Sequence, residues 1–246
     1  MVMVIPEVKR YLLGCDLAKS LDYTSFAVIE MVYETTIKGF AYHLRALDRI
    51  KGVDYPKITD LVIASIQRLQ NEQGTTDGPH ICMDAYGLGA PIRDYLLQSG
   101  VINGLVNLYP VVFTGGEAAR FDKVTFNYNI SKSLIISNFL SLMQRERFDY
   151  SPGLEALPLL QQEIASFKYH LTASGHTGFD AEVGAHDDLI CAICIPLIIG
   201  EWQFQVPPEY DRDESSGNSE AIEMFPGLDA CFPGRLNCLA EEYLNQ

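Results

Sequence analysis

Basic residues are scarce in this sequence. Its 246 residues include 18 lysines and arginines against 32 aspartates and glutamates, which gives a formal net charge of −14. Proteins that bind nucleic acids tightly usually neutralise phosphates with a basic surface. We therefore expect the isolated chain to bind DNA only weakly, because the sequence offers no strong basic stripe along which a duplex would lie.

The excess of acid is concentrated toward the C-terminal end. Residues 201–246 hold ten acidic and two basic residues, so residues 1–200 carry a net charge of only −6. The same final segment contains four prolines and a run rich in serine, glycine and asparagine. This composition predicts one folded domain over residues 1–200 and an acidic, proline-containing tail over residues 201–246 that is partly irregular.

Long apolar runs are also missing. No apolar segment approaches the roughly 20 residues that cross a membrane as a helix, and no secretory signal opens the sequence. The six cysteines are scattered, and four lie in apolar runs, which is typical of reduced core thiols. We expect a cytoplasmic protein without a membrane partner, in which Cys191 and Cys194 pack in the core rather than bind a metal.

Complete phosphate-binding loops are absent as well. The segment 14–20 is one spacer residue too short for a P-loop and lacks the glycine that precedes the lysine. Gly87 and Gly89 do not complete a dinucleotide fingerprint, because Ile92 occupies the position of the third glycine. The sequence therefore predicts neither an ATPase motor nor a dinucleotide site.

The apolar periodicity predicts an α/β fold. In chain order it indicates strands at 11–16, 26–33 and 39–47, a helix from 58 to near 74, a strand at 80–84, a helix at 92–98, a strand at 105–113, helices at 131–145 and 154–167, a hairpin at 168–183 and a last core helix from 187. Residues 114–130 are predicted to form a functional loop over a sheet edge. Three antiparallel strands followed by βα units predict a ribonuclease H-like, mixed five-stranded sheet flanked by helices.

Carboxylates stand at the ends of three of these core elements. Asp16 ends the first strand, Asp84 ends the fourth, and Asp187 and Asp188 open the last helix. A single aspartate at such a position is usually a turn former or a helix cap. Three together, far apart in sequence, predict a metal site assembled at the edge of the sheet. Asp22, in the first hairpin turn, is a further candidate ligand.

Carboxylate oxygens are the ligands that hard cations such as Mg²⁺ or Mn²⁺ prefer. In many nucleases, two such ions bound about 3.5–4 Å apart catalyse the hydrolysis of phosphodiesters. We expect Asp16 to bridge both ions and Asp84 to hold one of them. Asp187 or Asp188 would hold the other, because neighbouring helix residues project about 100° apart and only one faces the ions squarely. The sequence favours Asp187, which directly follows the predicted hairpin. His186 is a structural histidine or a proton carrier.

Four basic residues are candidates for contacts with DNA. They are Arg120, Lys123, Lys132 and Lys168. Each of them, taken alone, is more typical of a solvated surface than of a nucleic-acid contact.

Three of these motifs resemble the nuclease domain of phage terminase large subunits. The first motif is residues 14–18 with 22–24, the second is 83–91, and the third is 185–192. Lys132 falls near the position where that family carries a lysine before the helix packed beside the site. The resemblance covers about residues 11–200. It implies a ribonuclease H-like fold, Mg²⁺ or Mn²⁺, catalysis by Asp16, Asp84 and Asp187, and endonucleolytic cutting of concatemeric viral DNA.

The resemblance also implies partners and a location. The partners are double-stranded DNA, an ATPase motor domain, a small terminase subunit and a portal protein, in the cytoplasm of a host cell. Large subunits normally carry an N-terminal ATPase that this sequence lacks, so we expect an excised domain, a separately encoded nuclease or a prophage remnant. The alternatives are another ribonuclease H-like nuclease such as a junction resolvase, an actin-like nucleotide-binding fold, and a non-catalytic packaging module.

Overall fold

The computed structural model describes residues 9–18, 22–71, 78–87, 89–100, 107–115, 119–171, 177–181 and 186–204, with the backbone alone for 167–171 and 177–181. The strands are β1 (Lys9–Asp16), β2 (Tyr23–Glu34), β3 (Gly39–Lys51), β4 (Pro79–Asp84), β5 (Asn107–Thr114), β6 (Ala119–Asp122), β7 (Asn127–Ser131), β8 (Phe148–Tyr150), β9 (Phe167–Leu171) and β10 (Thr177–Ala181). The helices are α1 (Tyr55–Gln70), α2 (Gly89–Gln98), α3 (Lys132–Gln144), α4 (Leu157–Ser166) and α5 (Asp188–Gln203).

Eight of the strands form one mixed sheet in the order β6-β7-β5-β4-β1-β2-β3-β8. The first three strands are antiparallel neighbours, whereas β1, β4, β5 and β7 run parallel to one another. Strands β9 and β10 form a separate antiparallel hairpin, as the sequence predicts. The α/β class and the mixed sheet flanked by helices are confirmed.

The predicted number of five strands in the sheet is wrong. Residues 114–130, predicted as a loop, contain most of a hairpin in which β6 pairs with β7 at the edge of the sheet. Its strands have only four and five residues, and their aromatic and polar composition gives too little periodicity to identify them. The eighth strand, β8, has three residues and pairs with β3 at the opposite edge.

Helices cover both faces of the sheet, and an apolar core lies on each face. Successive side chains of β1 enter these two cores in turn. Tyr11, Leu13 and Cys15 pack with α1 and α2, while Leu12 packs on the other face with α3 and α5. Because side chains alternate along a strand, Asp16 projects to the face that α5 covers.

Helix α5 lies unusually close to β1. A Cβ atom on Gly14 would be 1.9 Å from the carbonyl oxygen of Ala192 and 2.8 Å from the ring of Pro196, so only glycine permits this approach. The helix is buried from Asp188 to Gly200, as expected for a segment that is apolar on every side. Its first turn is thereby held near the end of β1, where Asp16 lies.

The C-terminal end of α5 is also fixed to the sheet. Glu201 accepts hydrogen bonds from Tyr42 Oη at 2.6 Å and from two nitrogens of Arg147 at 2.9 and 2.6 Å. The helix therefore continues past the predicted domain boundary at residue 200, and residues 205–246 of the predicted tail lie outside the described residues. No helix in the described part of the chain is long and apolar enough to cross a membrane.

Candidate active site

One pocket of about 370 Å³ opens at the edge of the sheet where β1, β4 and β5 end. Because parallel strands end at the same edge, the register brings the last residues of β1 and β4 together and leads β7 into α3 beside them. The pocket is lined by Asp16, Leu17, Ala18, Asp22, Asp84, Tyr86, Gly87, Phe113, Lys132, Asp187, Asp188 and Cys191. All five carboxylates that the sequence singles out therefore lie in one pocket.

Asp16 is the electrostatic centre of this group. Burial raises the pKa of its carboxyl well above the usual range, and the negative charges of Asp84, Asp188 and Asp187 raise it further. Lys132 acts in the opposite direction. The pocket thus holds a cluster of acids that repel one another when ionised.

The carboxylate of Asp84 is held by its own turn. Its Oδ1 accepts a hydrogen bond of 2.8 Å from the backbone N–H of Tyr86. Burial nevertheless raises the pKa of Asp84 to about 6, against the lowering effects of that bond and of Lys132. The first residue of α2 lies close to this turn: a Cβ atom on Gly89 would be only 1.7 Å from the carbonyl oxygen of Asp84, so only glycine permits this approach.

Asp187 and Asp188 have different surroundings. Asp187 is at the N-cap position of α5 but makes no capping bond; its carboxylate instead pairs with the ammonium group of Lys132. Asp188 is the first residue of the helix and is 8% exposed, and its Oδ2 has no hydrogen-bond partner among the described residues. His186 lies beside it, with Nδ1 3.5 Å from Oδ2.

The same histidine connects Asp188 to Asp22. His186 Nδ1 is 3.7 Å from Asp22 Oδ1, and one ligand atom from each of the three residues lies within 4.8 Å of the other two. Burial and the charge of Asp22 raise the pKa of Asp188 to about 6, although His186 lowers it. Asp22 and His186 themselves are exposed.

Glu163 of α4 provides the cap that Asp187 does not. Its Oε2 accepts hydrogen bonds from the backbone N–H groups of Leu189 and Ile190 at 3.0 and 3.1 Å, and its Oε1 accepts from Arg49 at 2.9 Å. A carboxylate at a helix N-terminus is stabilised by the unpaired N–H groups there. The side chain is 5% exposed, and burial raises its pKa to about 7 despite these contacts.

Glu163 and Arg49 are not among the site residues predicted from the sequence. One signal was present, because Glu163 shares the buried face of α4 with Leu160, and a lone acid on such a face needs a partner. That partner, Arg49, is 114 residues away in the sequence and is recognised only in the folded chain.

We expect Glu163→Ala to destabilise the protein by about 3 kcal/mol, because it leaves two helix N–H groups and a mostly buried guanidinium without their acceptor. Glu163→Gln, which keeps an acceptor oxygen, should lose less. Urea unfolding with a chelator present measures the difference without any contribution from bound ions. Glu155→Ala, at an exposed acid just before α4, is the matched control and should change the unfolding free energy by less than about 0.5 kcal/mol. An equally small effect of Glu163→Ala would contradict the capping role.

The four basic candidates are dispersed. Lys132 lines the pocket in its pair with Asp187, while Arg120 is exposed on β6, opposite Asn129 of β7. Lys123 is exposed in the turn after β6, at the end of the hairpin distant from the pocket, and the side chain of Lys168 lies outside the described residues. Their contact with DNA stays a prediction.

Comparisons with known proteins agree with this arrangement, although no protein-family model matches the chain. The large terminase nuclease of thermophilic phage G20c, with bound magnesium, superposes with a TM-score of 0.51 at 20% identity, over 77% of this chain and 81% of that one. This chain has the fold of a terminase nuclease domain. The Thermus phage P74-26 large terminase nuclease domain matches likewise, with a TM-score of 0.52 and 18% identity over 81% and 84% of the two chains.

The sequence comparison points to the same proteins. The chain is 22% identical over 188 residues to the terminase large subunit of Thermus virus P23-45, which covers 75% of this chain and 30% of the relative. The large subunit of Thermus phage G20c gives 23% identity with the same coverage. The predicted resemblance to terminase nuclease domains and the ribonuclease H-like fold are confirmed, and the chain spans about 30% of the length of these relatives.

Proposed function

We propose that this chain is a metal-dependent endodeoxyribonuclease that cuts concatemeric viral DNA during genome packaging. One observation supports the proposal above the others: Asp16 and Asp84 at the ends of β1 and β4 and Asp188 at the start of α5 line one pocket, and a buried oxygen of Asp188 accepts no hydrogen bond from the described residues. Buried polar atoms are almost always satisfied, so an unsatisfied carboxylate oxygen facing other acids suits a cation. The relatives described above are large terminases, and the G20c nuclease binds magnesium and cobalt.

The donor set fits Mg²⁺ or Mn²⁺, because the pocket offers carboxylate oxygens at its centre. Asp16, Asp84 and Asp188 would hold two ions, with Asp22 and His186 on the Asp188 side. Such ions supply a nucleophilic water at neutral pH and stabilise the leaving oxygen of the phosphodiester.

We assign the direct ligand role to Asp188 rather than to Asp187, which the sequence favoured. The ion pair of Asp187 with Lys132 supports this choice, since that carboxylate already has a cationic partner. The Asp188 oxygen that accepts no hydrogen bond from the described residues, and the proximity of Asp188 to Asp22, support it independently. Asp187 then acts indirectly. Its ion pair fixes the orientation of Lys132, the first residue of α3.

Lys132 keeps a positive charge beside the pocket. Burial opposes that charge, but its neighbours, Asp187 among them, raise the pKa of the ammonium group overall. The preceding residue, Ser131, caps α3 by accepting a hydrogen bond of 3.3 Å from the backbone N–H of Leu134, which fixes the helix start. Lys132 would thus stabilise the charge that develops on the phosphate during cleavage.

The remaining parts of the proposal concern partners. Because the chain spans about 30% of its large-subunit relatives, we propose that an ATPase motor, a small terminase subunit and a portal protein act with it on double-stranded DNA in the host cytoplasm. The motor would add to the weak DNA affinity expected of a chain with a net charge of −14.

The test is cleavage of supercoiled plasmid by the full chain with Mn²⁺ or Mg²⁺, with and without a chelator. We expect nicked and then linear product only when free metal is present, without sequence preference. Asp16→Asn prepared in parallel excludes a contaminating nuclease. Cleavage that survives full chelation, or equal cleavage by Asp16→Asn, contradicts the proposal, and cleavage restricted to four-way junctions would indicate a resolvase.

A further inference from the structure

The rim of the pocket beside Asp22 carries an exposed cation, Lys51, that is not among the candidates predicted from the sequence. Lys51, the last residue of β3, is opposite Tyr23, the first residue of β2, in the antiparallel register. Ser25 of β2 is in turn opposite Asp16. Lys51 therefore lies at the same edge of the sheet as the catalytic carboxylates, two strands away from Asp16.

The ring of Tyr23 organises this rim. The Nζ atom of Lys51 is 4.7 Å from the ring centroid and the Cζ atom of Arg49 is 4.0 Å from it, both in cation–π geometry. The ring of His186 meets Tyr23 edge-on with its centroid 4.9 Å away. A continuous row of side chains thus runs from Lys51 through Tyr23 to His186, which adjoins Asp22 and Asp188 in the pocket.

The two cations of this row have different charge partners. Arg49 is 12% exposed and its guanidinium is bound to Glu163. Lys51 is exposed, and no carboxylate in the described part of the chain forms an ion pair with it. Its charge is available to an anion approaching the pocket, and the Tyr23 ring limits the positions that its ammonium group adopts.

We propose that Lys51, positioned by the ring of Tyr23, binds a backbone phosphate of the DNA strand that enters the pocket. This inference rests on the proposed nuclease function and extends it to the path of the substrate. A lysine is a point charge that binds phosphate without reading sequence. The rim would offset part of the repulsion between DNA and the acidic pocket, on the side that the sequence-predicted candidates do not cover.

The test compares both ends of one hairpin. Lys38 is an exposed lysine in the turn that joins β2 to β3, and Lys51 ends the same hairpin at the pocket. Binding of a short blunt duplex is measured by fluorescence anisotropy with Mg²⁺ across a salt series, in the full chain carrying Asp16→Asn to prevent cleavage. In the cleavage-competent chain, KM and kcat for plasmid are measured for the same lysine variants.

We expect Lys51→Gln to weaken duplex binding roughly fivefold to tenfold at low salt and to reduce the salt slope by about one, as for the loss of one phosphate contact. In the cleavage-competent chain it should raise KM and leave kcat close to the parent value. Lys38→Gln should change neither quantity. An unchanged slope and KM for Lys51→Gln overturn this inference while leaving the nuclease proposal intact. A parent that neither binds nor cuts DNA overturns both.

Discussion

Asp16→Asn is expected to abolish cleavage and to leave the metal-free protein as stable as the parent or more stable. The substitution removes the carboxylate whose pKa is raised by burial and by three neighbouring acids, so it relieves repulsion in the pocket. It also removes the proposed bridging ligand, so the two-ion chemistry is lost. A site residue whose loss stabilises the fold is the usual sign that the fold tolerates strain for function.

The effect on stability should depend on pH. Burial raises the folded-state pKa values of Asp84 and Asp188 to about 6, above the ordinary value of 3.8. A carboxyl group with a raised pKa contributes stability that is fully present below its unfolded pKa and is lost as the pH rises through its folded pKa. The metal-free parent should therefore lose stability as the pH rises through about 6, and Asp16→Asn should lose less.

Thermal unfolding with a chelator, at about pH 5 and about pH 8, measures both effects. Asp60→Asn, an exposed aspartate on α1, is the matched control and should behave as the parent. A clearly lower melting temperature for Asp16→Asn without metal would make Asp16 a structural hydrogen-bond acceptor. Added Mn²⁺ should raise the melting temperature of the parent more than that of the variant.

Asp188→Ala is expected to reduce the cleavage rate on the order of 10²-fold or more, by comparison with the loss of other single electrostatic contacts in active sites. The physical reason is the buried Asp188 oxygen, which accepts no hydrogen bond in the described part of the chain and would be satisfied by a cation in the pocket. Asp187→Ala should cost less, because Asp187 is already paired with Lys132 and acts on the substrate indirectly.

Cleavage rates across a Mn²⁺ titration separate these roles. Raised Mn²⁺ should restore much of the activity of Asp187→Ala and little of that of Asp188→Ala. The reverse order of severity would return the ligand role to Asp187, as the sequence suggested. Full activity in both variants would remove the start of α5 from the active site.

The main features of the site could be predicted because each has a local signal. Asp16 and Asp84 each end an apolar strand, and Asp187 and Asp188 open a helix that is apolar from residue 189 to residue 200. Parallel neighbouring strands end at the same edge, so recognising β1 and β4 was enough to expect their aspartates in one pocket.

Other features depend on contacts between distant segments. The different surroundings of Asp187 and Asp188 depend on the path of α5 across Gly14, on the ion pair of Asp187 with Lys132, and on Glu163, which caps the helix. The edge hairpin of β6 and β7 was missed because its strands are too short for a periodic pattern. Lys51 was missed because its proximity to the pocket follows from the strand register.

The most direct test of a two-ion site is a crystal of the full chain soaked in Mn²⁺, examined by anomalous scattering. We predict two Mn²⁺ peaks about 3.5–4 Å apart in the pocket, with Asp16 between them and with Asp84 and Asp188 each bound to one. No peak at Asp16, or a single peak confined to Asp22 and His186, would contradict the two-ion account.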